Sequence, residues 1–275
     1  MWIINTIIGK IFEILFLPFQ NMSPWIGMIV VSLLTGLLML FIYKFTSNQE
    51  GIRKVKNKIK AHLLELRLFK DSLSISLKAQ GNILRANLKY IGYSSKPLLV
   101  MIIPVMLILI QLNFWFAYDS LNPKQNTILR IKLQDDVPLM ETQIDIKSDS
   151  GIVLETPPLR DVESNEINWR IRVEEKGVHE IKIVVNGQEY TKRISVGQKT
   201  LSRISPLKTR KNFFREFFYP TESPLPKSSP IKYIEISYPS RNMNFFGLGI
   251  NWLIAYLALS IIIGFSLKGF FKVEI

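Results

Sequence analysis

The chain has 275 residues, 48% of them hydrophobic, and a formal net charge of +13. It contains no cysteine and only two histidines, His62 and His179, so disulfides, thiolate metal sites and a cysteine nucleophile are excluded. A histidine metal cluster or a Ser-His-Asp arrangement is hard to assemble, and enzymatic chemistry is not expected. On a soluble protein a charge of this size would suggest a nucleic-acid partner, but here the basic residues gather beside long apolar runs, where membrane topology accounts for them.

Residues 1–20 lack the basic n-region and small-residue cleavage site of a signal peptide. Asn5, Thr6, Gly9, Lys10 and Glu13 recur at helical spacing, with Ile4, Ile7, Ile8, Ile11, Phe12 and Leu15 on the other side. This pattern predicts an amphipathic helix lying in the membrane interface and ended by Pro18. The alternative is an imperfect span with Lys10 and Glu13 in hydrocarbon, at some cost. Residues 24–46 are the first firm span, since their apolar stretch Trp25 to Tyr43 is long enough to cross the hydrocarbon core. Ser32 and Gly36 form a small-residue pair that lets another helix approach, and Thr35 adds a weak polar point. Lys44 at the span's end either snorkels to the headgroups or lines a hydrated cavity.

Residues 47–96 set the orientation. Between Glu50 and Lys96 there are eleven lysines and arginines against three acids, a net of +8, and a short basic loop between two spans marks the cytoplasmic side. Ile52, Val55, Ile59, Leu63 and Leu66 form a helical stripe close to the heptad repeat of a coiled coil. After a polar break at Lys70-Asp71-Ser72, a second stripe runs through Leu73, Leu77, Leu84, Leu88 and Ile91, with Gly92 and Pro97 predicted to end it. The expectation is a cytosolic helical hairpin whose lysines face anionic headgroups or, alternatively, the ribosome or a nascent chain. The second span, residues 97–118, carries Pro104, Gln111 and Asn113, with Trp115 and Tyr118 at the outer interface.

Residues 119–245 then lie outside, with 20 basic and 17 acidic residues. Within 119–200 six alternating runs, TILRIKL, METQIDIK, GIVLE, INWRIRVE, VHEIKIVV and QEYTKRISV, predict a small antiparallel β-sandwich, immunoglobulin-like in architecture. Asn186-Gly187 is its strongest hairpin signal, and Trp169 reads as core. Residues 201–244 read as a Pro/Ser/Lys-rich linker with a return strand at 231–238, and its aromatics Phe213, Phe214, Phe217, Phe218 and Tyr219 are expected to touch the outer leaflet. A third span, 245–268, carries the small pair Ser260 and Gly264. Lys268 and Lys272 mark its cytoplasmic end, before a tail at 269–275. No acidic residue lies in the three apolar stretches, which argues against ion conduction.

The fold class expected is an α-helical membrane protein with three spans, an interfacial helix, a cytosolic hairpin and an inserted extracytoplasmic β-sandwich. In this order of parts, the segments SLLTGLLMLFIYKFTSNQEGIRKVKNKIKAHLLELRLFKD and NLKYIGYSSKPLLVMIIPVMLILIQL resemble the Oxa/YidC superfamily of membrane protein insertases. The nearest branch is the three-span one that includes the third subunit of the ER membrane protein complex. The chain differs from bacterial insertases in having no arginine in its first span, and from the larger ones in placing its β-domain between the second and third spans. The resemblance implies a hydrophilic groove in the inner leaflet that receives the polar flank of a client helix without cofactor or nucleotide hydrolysis. Thr35, Lys44, Gln49, Gln111 and Asn113 would line it. It also implies nascent membrane proteins as clients, a further membrane subunit or a second copy as partner, and the bacterial cytoplasmic membrane as location. The rival reading is a scaffold anchored through Ser32, Gly36, Ser260 and Gly264, whose β-domain binds a partner.

Overall fold

Apolar periodicity and its interruptions lay the chain out as helices at both ends of a strand-rich middle. The computed structural model describes residues 2–197, 200–245, 247–271 and 273–274; Lys272 lies outside them. Two compact units result, Met1–Gly27 with Leu107–Trp252, and Met28–Met106 with Leu253–Ile275. Their helices are α1 (Trp2–Phe16), α2 (Pro24–Thr46), α3 (Gln49–Leu68), α4 (Leu73–Phe116), α5 (Phe213–Phe218) and α6 (Trp252–Leu267).

Two of these, α2 and α4, are long and apolar enough to cross a membrane. The helix α4 corrects the sequence reading, because one continuous helix of 44 residues takes in half of the expected hairpin and the second span as far as Phe116. Gly92, Pro97 and Pro104 do not end it. An internal proline removes one backbone hydrogen bond and kinks a helix, but long apolar helices tolerate it. The buried stripe on α4 is also not the leucine row. Leu73, Leu77, Leu84, Leu88 and Ile91 are all at least 57% exposed, whereas Ala79 and Ala86 are buried. Small side chains allow close helix approach, and Tyr90 and Tyr93 on that side pack with Ile52 of α3.

The predicted third span is shortened. Residues Met243–Phe245 (β10) and Leu248–Ile250 (β11) form a hairpin where a helix was expected. Gly247 turns it at φ +87°, donating its N–H to Asn244 Oδ1 at 3.0 Å, and the Trp25 indole donates to the Asn244 carbonyl at 2.7 Å. Asparagine and glycine favour such turns over helix starts. The remaining α6 has 16 residues, about 24 Å against a hydrocarbon core of about 30 Å.

In the helical unit, α2 and α6 meet backbone to backbone. A Cβ on Gly36 would stand 3.4–3.5 Å from Ile263 Cγ2, Gly264 N and Ser260 O, so the two small-residue pairs read from the sequence face each other. The tail is not free: Val273 is buried beside Leu40, Tyr43 and Ile52, and Glu274 pairs with Lys56 at 3.3 Å.

The strand-rich unit holds two antiparallel sheets over one core. The first runs β3 (Ile152–Leu154), β5 (Glu166–Val173), β1 (Asn126–Leu133), β9 (Ile231–Ile236), β8 (Leu207–Thr209), with β4 (Leu159–Asp161) also on β5; the second runs β2 (Ile144–Ser148), β6 (Gly177–Val185), β7 (Gln188–Val196). All six predicted runs and the return strand are present. Asn186 and Gly187 both take positive φ, +49° and +82°, the turn that suits a two-residue hairpin. Trp169 is buried in the shared core.

The expected linker is part of this domain. Leu225 joins the core, β8 pairs with β9, and Glu222 is buried against Lys192 of β7. Lys192 is fully buried and also donates to the Ser205 carbonyl at 2.6 Å. Burial pushes its ammonium down from the ordinary lysine value, only partly offset by Glu222. Burial alone would raise the Glu222 carboxyl, but the ammonium and hydrogen bonds around it outweigh burial and hold it below the usual carboxylate range.

Candidate functional site

Three helices of one unit line an open apolar recess of about 270 Å³. Met39 and Leu40 line it from α2, Leu98 and Met101 from α4, and Leu257 and Ile261 from α6. Its size is just below that of ordinary small-molecule sites, about 300–1,000 Å³. Thr35, Tyr43, Tyr256 and Ser260 are its hydroxyl-bearing residues, and the Thr35 hydroxyl donates to the Val31 carbonyl of its own helix at 2.8 Å. The arrangement suits a methyl-rich side chain or an acyl segment and offers little to a charged group.

The five residues expected to line one polar groove occupy different surroundings. Thr35 borders this apolar cavity. Lys44 is exposed at the end of α2. Gln49 is partly buried: its side chain meets Ser47 Oγ and accepts from the Glu274 backbone N–H at 2.7 Å, so it fastens the tail. The cap of α3 is Asn48, which accepts from Gly51 N at 2.9 Å. Gln111 is fully buried and Asn113 partly so, near the Tyr118 hydroxyl. Of the packing residues, Ser32 is buried and its hydroxyl has no hydrogen-bond partner among the described residues, whereas the Ser260 hydroxyl meets the Tyr256 phenol.

Gln111 belongs instead to a polar chain in the strand-rich unit. It accepts from Arg203 Nη2 at 3.2 Å and donates to the Asn5 carbonyl at 3.3 Å. Arg203 in turn pairs with Glu13 at 2.7 Å. Asn5 donates to the Glu216 and Phe217 carbonyls of α5 at 3.2 and 3.1 Å. Asn5 and Gly9 on the polar edge of α1 therefore turn toward protein, while Lys10 and Glu13 stay exposed, as do Ile7, Ile11, Ile14 and Leu17. A Cβ on Gly9 would come within 2.7 Å of the Arg203 guanidinium, which explains a glycine there. The helix forms as expected, and Asn5 on its polar edge faces inward because partners there satisfy it.

A cleft of about 550 Å³ opens beside this chain, lined by Lys10, Glu13, Trp115, Ser202 and Arg203 among others. Trp115 Nε1, Ser202 Oγ and Arg203 Nε have no hydrogen-bond partner among the described residues. Three hydrogen-bond donors beside one cleft suit water or an acceptor-bearing group. The sequence reading passed over Arg203, which lies in the supposed linker. Its signal was an isolated cation in LSRIS, just after the last strong strand. Asn5→Ala should free α5 from α1, with a cost of about 1–2 kcal/mol for two buried acceptors left without a donor. Hydrogen exchange would show this as faster exchange across residues 213–218 with β1 and β5 unchanged.

No protein-family model matches this chain, and neither a curated protein nor a solved structure matches it.

Proposed function

We propose that this is an integral membrane protein with an insertase-like role, sheltering an apolar segment of another membrane protein during its insertion or assembly without nucleotide hydrolysis. It does so through an apolar recess and not the hydrophilic groove that the Oxa resemblance implies. The observation that carries the reading is the apolar cavity between α2, α4 and α6. In the same unit, α3 and the start of α4 carry basic residues beside an exposed row of leucines. A client helix gains most of its free energy from moving apolar surface into lipid, and a methyl-lined recess lets it wait there. In this topology the basic hairpin is cytoplasmic, available to headgroups or a ribosome, and the β-sandwich lies outside a bacterial cytoplasmic membrane. With 16 residues, α6 crosses only where the bilayer thins, and local thinning is itself favourable to passing polar groups. Thr35 and Lys44 remain the polar groups closest to this role.

A second reading is favoured by Gln111, whose amide is spent on intrachain bonds. A scaffold anchored by packed helices, with the β-domain binding a partner, needs no more than that. Photocrosslinkers placed at Met39, Met101 and Lys44 in native membranes separate the two. Adducts to a stalled nascent membrane protein from Met39 and Met101, lost on chain release, are the expected result. Adducts only to one constant protein at every stage would leave the scaffold.

A further inference from the structure

The strand-rich unit carries a second recess that the reading above does not use. It measures about 330 Å³ and is lined by Arg210, Lys211, Arg215, Lys227 and Lys232, with no carboxylate in its wall. Backbone contacts hold these cations in place. Arg210 Nε donates to the Lys227 carbonyl at 2.6 Å, and Arg215 Nη1 to the Lys232 carbonyl at 3.3 Å. Lys211 N donates to the Leu225 carbonyl at 2.9 Å and Arg210 N to the Lys232 carbonyl at 3.1 Å, which fixes the three segments side by side. Asp135 pairs with Lys232 at 3.1 Å; among the described residues no carboxylate pairs with the other four. Like charges held this close repel one another unless an anion joins them.

What kind of anion is indicated by the neighbouring helix. Phe213, Phe214 and Phe218 of α5 are 58%, 68% and 43% exposed, an apolar surface unusual for a water-facing segment. The helix is tied to α1 through Asn5, and Tyr219 just after it lies 6.5 Å from Phe114 in the last turn of α4. The end of an apolar helix is where aromatics meet the membrane interface.

We propose that this recess binds the phosphate of an anionic phospholipid headgroup in the outer leaflet, with Phe213 and Phe214 entering the acyl region beside it. The site rests on the membrane reading above but not on the client role. It uses guanidinium and ammonium donors on phosphate oxygens, and needs no metal.

The test uses the full chain, purified in detergent and exchanged into nanodiscs of phosphatidylcholine with or without phosphatidylglycerol, with retained lipids counted by native mass spectrometry. The wild type should retain phosphatidylglycerol preferentially. Lys211→Gln with Lys227→Gln should cut that preference about tenfold, and Phe213→Ser with Phe214→Ser should weaken retention of both lipids while keeping the preference. Equal phosphatidylglycerol retention by wild type and the lysine pair would overturn the proposal. So would inorganic phosphate binding as tightly as the lipid and indifferently to the phenylalanine pair, which would make this a site for soluble anions. Carbonate extraction of cell membranes is the separate control. A wild type released by carbonate would overturn the membrane reading and this site with it, whereas a retained protein with no lipid preference would overturn the site alone.

Discussion

Lys192→Met should destabilise the strand-rich unit by about 3–5 kcal/mol, because it leaves the buried Glu222 carboxylate without its counter-charge. For a unit of this size that is a fall in Tm of about 6–20 °C. The two side chains are 0% and 8% exposed, so water cannot replace the missing partner. Lys192→Met combined with Glu222→Leu should recover much of the loss, since a dry apolar pair of similar volume is often no worse than a buried ion pair. Thermal unfolding of the three proteins at one pH is sufficient. A single variant within about 0.5 kcal/mol of wild type would mean the pair is wet. The pH dependence has a definite sign. Glu222 titrates below its ordinary value of 4.5 when folded, so its contribution is complete above that value and lost as pH falls through the lower, folded one.

Gly36→Leu should drive α2 and α6 apart and cost about 1–3 kcal/mol in the helical unit. The Cβ position is already at van der Waals contact with Ile263 Cγ2 and the backbone of Ser260 and Gly264, so alanine fits and a branched side chain does not. The reciprocal position behaves differently. Nothing lies within 4 Å of a Cβ on Gly264, so Gly264→Ala should be nearly silent. Limited proteolysis in detergent reads both: faster cleavage near residues 266–271 for Gly36→Leu, and a wild-type pattern for Gly36→Ala and Gly264→Ala. Equal sensitivity of Gly36→Ala and Gly36→Leu would show that the packing is not limited by side-chain volume.

Local patterns carried most of the architecture. Period-two alternation located every long strand, because each buries one face, and Asn186-Gly187 located its hairpin. Small-residue spacing marked close-approach faces on α2 and α6, and that these two faces meet each other was not legible. Failures came where tertiary partners decide. Gly92 and Pro97 read as helix stops, but an apolar helix absorbs them. The leucines at 73, 77, 84, 88 and 91 read as a buried stripe, yet Ala79 and Ala86 took that place, since hydrophobicity alone does not say which face a neighbour covers. Lys192 was legible and missed: Tyr190, Ile194 and Val196 share its face of β7, so alternation put a lysine into the core. Its partner was not, because Glu222 lies in a segment whose prolines and serines look unstructured. Gln111 was singled out correctly as a polar group in an apolar helix, but its destination depends on Asn5 and Arg203, about a hundred residues away in either direction.

Asn5 and the α5 carbonyls that receive it are separated by 211 residues. At a synthesis rate of about 5–20 residues per second, α1 exists for roughly 10–40 s before α5 has been made. During that interval Asn5 and Glu13 have neither the α5 carbonyls nor Arg203 to meet. These side-chain hydrogen bonds of α1 therefore wait until residues 203–217 have been made.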